Sequence, residues 1–227
     1  MNKEQKEDFY RRLSALFSKY ESILTSPEQL EILKKGFAFS DIDYNADVLI
    51  MGMNPSLRTN FLSEDGYSYD YPLQSQDMYF KKFYKLLEPY SEHKISYTDL
   101  FYQKHSEQVK LKYFLKDKNG REFLQEQLEL TKAQIIKTQP KLILLFNKQG
   151  ADFFRTPWLP VQIESVENTP IPELKSINFY ASDGSSICKL LAYFSTYLGY
   201  RTSKKALEKV HREIPEIFKY LSNYIQN

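Results

Sequence analysis

Apolar residues at three- and four-residue spacing open the chain: Phe9, Leu13, Leu16, Phe17 and Tyr20 fall on one face of a helix. Ser26-Pro27-Glu28-Gln29 then supplies an N-cap, a proline for the first helical position and the last residue of a capping box. Gly36 closes that second, short helix. Over residues 47–52 the period gives way to a continuous apolar run, which predicts a buried strand stopped by Gly52 and Asn54-Pro55. Residues 54–76 follow no period and hold Phe61, Tyr67, Tyr69 and Tyr71; a loop of this length inside a compact domain carries function or moves. Asp77 caps a helix with Phe80, Phe83, Tyr84 and Leu87 on its apolar face.

The alternation continues. Residues 94–101 predict a second strand, 121–138 a helix with Leu124, Leu128 and Ile135 inward, and 141–146 a third buried strand. Residues 161–166, 176–181 and 187–194 are strand-like, the last two joined as a hairpin across Asp183-Gly184. Ser203 caps a helix through Ile214, and Pro215 starts another that carries Ile217, Phe218, Leu221 and Ile225. Strands alternating with helices imply an α/β fold: three α/β/α layers around a central, mainly parallel four-stranded sheet, with a C-terminal hairpin extension and terminal helices. A single domain over residues 1–227 is expected, with N-terminal helices in 1–44, a core in 45–214 and a C-terminal helix in 215–227. Ligands of such sheets bind outside the carboxyl ends of the strands, which singles out residues 52–56, 98–102, 147–150 and 195–199.

Composition narrows the chemistry. With 227 residues, 42% of them hydrophobic, the chain can bury a sizeable core without staples. One cysteine, Cys188, excludes an intramolecular disulfide and a cysteine-ligated metal site within one chain. His93, His105 and His211 show no ligand spacing, so neither metal nor cofactor is expected. The charged start and the lack of any run approaching ~18 apolar residues predict a soluble, cytoplasmic protein without a membrane span. Net charge is only +2, but residues 104–121 gather Lys104, Lys110, Lys112, Lys116, Lys118 and Arg121 against Glu107 and Asp117. That stretch either tracks phosphates or is a solvated loop. A Gly-rich phosphate loop, a Gly-x-Ser-x-Gly elbow and a paired-His metal motif are all missing from the sequence.

The segment Val48-Leu-Ile-Met-Gly-Met-Asn-Pro-Ser56, followed by an aromatic loop and a Phe-rich helix, resembles the first motif of the uracil-DNA glycosylase-like superfamily. The mismatch-specific and single-strand-selective branches are closest in pattern. Tyr97-Thr98-Asp99-Leu100 stands where the family's base-reading strand ends, and residues 140–146 match its third strand. Phe194-Ser195-Thr196 falls where its second catalytic motif follows the last strand. The likeness covers residues 45–214 as an order of elements. It implies a divergent DNA N-glycosylase-like protein that hydrolyses or recognises a base flipped from single- or double-stranded DNA. The alternative is a non-catalytic nucleotide- or nucleic-acid-binding module on the same fold.

Under that resemblance Asn54 orients the attacking water, because a carboxamide oxygen accepts its hydrogen bond; a plain turn is the other account of Asn54-Pro55. Gly52 lets the backbone approach the ligand, backbone N–H groups near Met53 and Ser56 serve as hydrogen-bond donors, and Pro55 belongs to the same binding segment. Among Phe61, Tyr67, Tyr69 and Tyr71, Tyr67 is favoured as the stacking ring because Gly66 precedes it. Asp99 stands where uracil-reading members have Asn. An ionised carboxylate only accepts, so it suits a donor-rich base edge, or burial protonates it, or it is merely a cap. Ser195, backed by Thr196, replaces the histidine frequent in the second motif; neutral hydroxyls stabilise developing charge less than charged donors do. Tyr197 or Arg201 would fill the gap left by the flipped base, and Asn147 belongs to the same rim.

Overall fold

A computed structural model of the chain describes residues 1–57, 64–71, 77–155, 157–181, 183–198 and 202–224. Its strands are β1 (Val48–Gly52), β2 (Ile95–Asp99), β3 (Leu142–Leu145), β4 (Val161–Ser165), β5 (Leu174–Tyr180) and β6 (Ser186–Phe194). They form one six-stranded sheet in the order β2-β1-β3-β6-β5-β4. β1 runs parallel to β2 and β3, and β3 parallel to β6. β5 is antiparallel to both β6 and β4. The expected four-stranded sheet with a separate hairpin is therefore corrected. β6 is both the fourth parallel strand and one arm of the hairpin, so its second edge carries β5 and then β4 in the same hydrogen-bonded sheet.

The helices are α1 (Lys3–Glu21), α2 (Pro27–Leu33), α3 (Met78–Leu87), α4 (Lys112–Leu115), α5 (Lys118–Thr138) and α6 (Lys204–Tyr224). Residues of α1, α2 and α5 pack with Leu49, Met51, Ile143 and Leu145 on one face of the sheet. Those of α3 and α6 pack with Val48, Ile50, Leu142 and Leu144 on the other. β1 and β3, buried on both faces, are for that reason unbroken apolar runs rather than alternating ones.

Local details depart from expectation in two places. Ser26 sits at the start of α2 in extended conformation, but its hydroxyl donates to Glu28 instead of capping a backbone N–H. Pro215 does not separate two helices: α6 runs through it. Pro215 and His211, whose carbonyl loses its usual partner, both lie on the exposed side. The buried stripe Val210, Ile214, Ile217, Phe218 and Leu221 stays continuous and holds the helix together. Asp77 caps α3 as expected, accepting from the Tyr79 N–H at 2.8 Å. Among the described residues no helix is long and apolar enough to cross a membrane.

From β1 the chain moves to β2 on one side, then crosses β1 to reach β3 on the other. The crevice outside the carboxyl ends of β1 and β3 is thus the strand-order switch point, the position where open α/β sheets accept ligands.

Candidate functional site

Side chains alternate across a strand, so the α3/α6 face receives Tyr97 and Asp99 from β2 and Tyr193 from β6. Gly52 is the register partner of Asp99. A Cβ at position 52 would fall on the Tyr97 hydroxyl and on Asp99 Oδ1, so the glycine makes room for two polar groups. Asp99 is 1% exposed. The Tyr67 hydroxyl donates to its Oδ2 at 2.6 Å and the Tyr97 hydroxyl to its Oδ1 at 2.8 Å. Burial pushes the Asp99 carboxyl up to about 7, against the two hydroxyls, which favour its charged form. The Tyr67 and Tyr97 hydroxyls are held well above their ordinary range by burial and by the Asp99 charge. Tyr79 of α3 is raised by the same two causes. Its ring stacks on Tyr197 at 5.8 Å and 21°, which brings the segment after β6 to this tyrosine-lined nest.

Asn54 lies just past β1, in a turn stitched to the tail of β2. Phe101 N donates to Met53 O at 3.0 Å and His105 N to Pro55 O at 3.1 Å. Asn54 Nδ2 donates to Pro55 O at 3.0 Å and to His105 O at 2.8 Å. Only an NH2 group can face two carbonyls, so the amide's orientation is determined and Oδ1 is left as its acceptor. His105 itself is buried, with Nδ1 3.0 Å from Glu107 O, which makes Nδ1 the protonated nitrogen. Burial lowers its pKa to about 4.

At the end of β3, Asn147 Oδ1 accepts from Gln149 N at 3.0 Å and Gly150 N at 3.4 Å. Its Nδ2 is buried and has no partner among the described residues. At the end of β6, Ser195 N extends the ladder to Leu145 O. The Ser195 hydroxyl donates to Tyr193 at 3.0 Å, and Tyr193 donates to Glu213 at 2.6 Å. Lys209 pairs with Glu173 and stands 3.7 Å from Glu213. With β1 and β3 between β2 and β6, Ser195 is three strand spacings from Asp99, roughly 14 Å.

The fold therefore groups Gly52, Tyr67, Asp99 and, through Tyr79, Tyr197, with Asn54 two residues beyond Gly52. Met53 and Pro55 are buried, while Ser56 and Thr196 are half-buried. Ser195 belongs to a separate network and its hydroxyl hydrogen is directed into it. Phe61 and Arg201 lie outside the described residues. Sequence reasoning missed Tyr97, although its place two residues before Asp99 puts both on one face. It also missed Tyr79 and the His105 carbonyl, for which no local signal exists. In the basic stretch, Lys110 pairs with Glu107 and Lys118 with Glu122, while Lys116 lies 4.9 Å above the Tyr113 ring. Among the described residues no three His, Cys, Asp or Glu side chains converge in a way that could hold a metal ion. Scanned against known protein families and searched against curated proteins, the chain matches none of them.

Proposed function

We propose that this chain is a divergent DNA N-glycosylase-like protein that hydrolyses the bond between a flipped base and its deoxyribose, with Asn54 holding the attacking water. The observation that carries the reading is the Asn54 amide. Both of its donors face backbone carbonyls, so Oδ1 is available to orient a water beside the switch-point crevice. A neutral carboxamide does not ionise that water; it suffices where the glycosidic bond breaks largely ahead of attack and an oxocarbenium-like carbon needs only a placed nucleophile. The bond's electron pair leaves with the base, and a hydrogen-bond donor there lowers the barrier. Asn147 Nδ2, buried and unpartnered among the described residues, is our candidate for that donor.

Asp99 would read the base. With its carboxyl raised to about 7, a protonated fraction exists at neutral pH and can donate as well as accept. That widens the readable edges beyond donor-rich ones, provided the Tyr67 hydroxyl yields its place to the base. The non-catalytic module is favoured by one observation: the Ser195 hydroxyl, the counterpart of the family's second-motif donor, points to Tyr193 rather than outward.

Incubation with single- and double-stranded oligonucleotides carrying uracil, G·U, G·T, hypoxanthine or xanthine, read by mass spectrometry of released base, separates the two. Release by the native chain that disappears in Asn54→Ala is expected. Binding without release from any substrate assigns the module instead, and equal release by the variant removes Asn54 from the chemistry.

A further inference from the structure

On the opposite face of the sheet from Asp99, at its β4 edge, lies a cavity of about 280 Å³ that shares no residue with the Asn54 region. Phe154, fully buried, and Phe194, half-buried, form its floor, their ring centroids 5.5 Å apart at 59°. Val161 and Ile163 of β4 form an apolar wall, and Arg155 and Lys175 supply two cations. Neither cation has a carboxylate within ion-pair distance among the described residues. Lys175 Nζ instead donates to Ser165 Oγ, its cross-strand partner, at 3.2 Å, which leaves the hydroxyl hydrogen free to donate. The Arg155 carbonyl accepts from Trp158 N at 2.8 Å and Leu159 N at 3.2 Å, fixing the turn that carries the guanidinium.

A guanidinium and an ammonium at one opening, the ammonium held by the Ser165 hydroxyl beside it, match the several oxygens of a tetrahedral dianion. The apolar wall and the aromatic floor beside them match a planar ring. The volume is at the lower end of small-molecule sites, which span roughly 300–1,000 Å³. From this combination we infer that the cavity binds a phosphate monoester bearing a planar ring, of mononucleotide size. The phosphate sits between Arg155 and Lys175 and the ring lies over Phe194, against Val161 and Ile163.

Calorimetric titration of the full chain with deoxyadenosine monophosphate, adenosine, inorganic phosphate and benzoate tests this. The monophosphate should bind at least about tenfold more tightly than any of the other three. Arg155→Glu and Lys175→Met should each weaken it by about tenfold or more, the scale of one charge-assisted contact. Both positions are at the surface, and unchanged melting curves will show that the variants fold. Asn54→Ala should leave this binding unaltered whether or not the chain releases bases. Binding of inorganic phosphate as tight as that of the nucleotide overturns the ring contact, and equal binding of benzoate overturns the phosphate class. No binding at millimolar nucleotide, or binding indifferent to both cation variants, overturns the site.

Discussion

Asp99 and Glu213 are both buried beside tyrosine hydroxyls, yet among the described residues only Glu213 has a cation within reach. Glu213 closes a chain that runs from Ser195 through Tyr193, and Lys209 ties it to Glu173 on the segment before β5. Such a set of paired charges braces α6 against the end of β6. Among the described residues Asp99 faces only neutral hydroxyls, and burial raises its carboxyl to about 7. The same residue class thus serves as a clamp at the end of β6 and as a titrating group at the end of β2. Perturbed carboxyls in clefts gather where chemistry is done. Under the proposed function, the chemistry falls to the ends of β1 and β2 and the end of β6 gives support.

The contrast breaks most sharply at Gly52. Gly52→Ala puts a Cβ into the Tyr97 hydroxyl and the Asp99 carboxylate, and should cost roughly 3 kcal/mol, or about 6–12 °C in melting temperature. Adding Tyr97→Phe should restore part of that loss. A melting curve like that of the native chain would show that the strand end is not tightly packed.

A second test uses pH. Asp99 titrates near 7 in the fold against 3.8 in the unfolded chain, so the folded state binds the extra proton. Its contribution is greatest below about pH 4 and is lost as pH rises towards 7, by at most about 1.4 kcal/mol per unit. His105 has the opposite sign: depressed to about 4 from 6.5, it contributes fully above 6.5 and loses that contribution as pH falls. The two slopes oppose each other between pH 4 and 6.5. Urea titrations should therefore show a nearly level native stability there, a rising one for Asp99→Asn and a falling one for His105→Gln. Parallel profiles for the native chain and Asp99→Asn would mean that Asp99 does not titrate in this window.

Smaller effects sharpen the other end. Tyr193→Phe removes the hydroxyl between Ser195 and Glu213 and should cost about 1–2 kcal/mol in urea denaturation. A change within about 0.5 kcal/mol would mean that the chain of hydroxyls does not brace the strand end. Asn54→Ala, at a half-buried position, should cost about 1 kcal/mol while abolishing the proposed base release. A loss of several kcal/mol would instead mark the amide as a structural pin.

The hydrophobic pattern made β1, β3, α3 and most of α5 legible, because buried strands and amphipathic helices each write a distinct period. It could not give the sheet's width. Strand-like segments 161–166 and 176–181 were plain, but which edge they join depends on β6 having a second edge, which no local residue encodes. Pro215 misled for a related reason: its effect on a helix depends on which side faces water, and tertiary packing decides that. At the site, Gly52, Asn54 and Asp99 stand out through the resemblance carried by the strand-end motifs, and Tyr67 through the glycine before it. That Tyr67 gives Asp99 a hydrogen bond rather than offering only an open ring face follows from the contact of residues 32 positions apart. The two carbonyls that orient Asn54 are backbone groups, and one belongs to a residue 51 positions away.

Gly52 carries a consequence for the history of the chain. Its missing Cβ is occupied space, filled by the Tyr97 hydroxyl and the Asp99 carboxyl of the neighbouring strand. Positions 52, 97 and 99 are thereby one unit of variation. In any set of relatives that keeps this strand pairing, a larger residue at 52 should accompany a smaller or hydroxyl-free residue at 97, and a change at 99 should relax both. Independent drift of the three would be incompatible with the packing described for this end of the sheet.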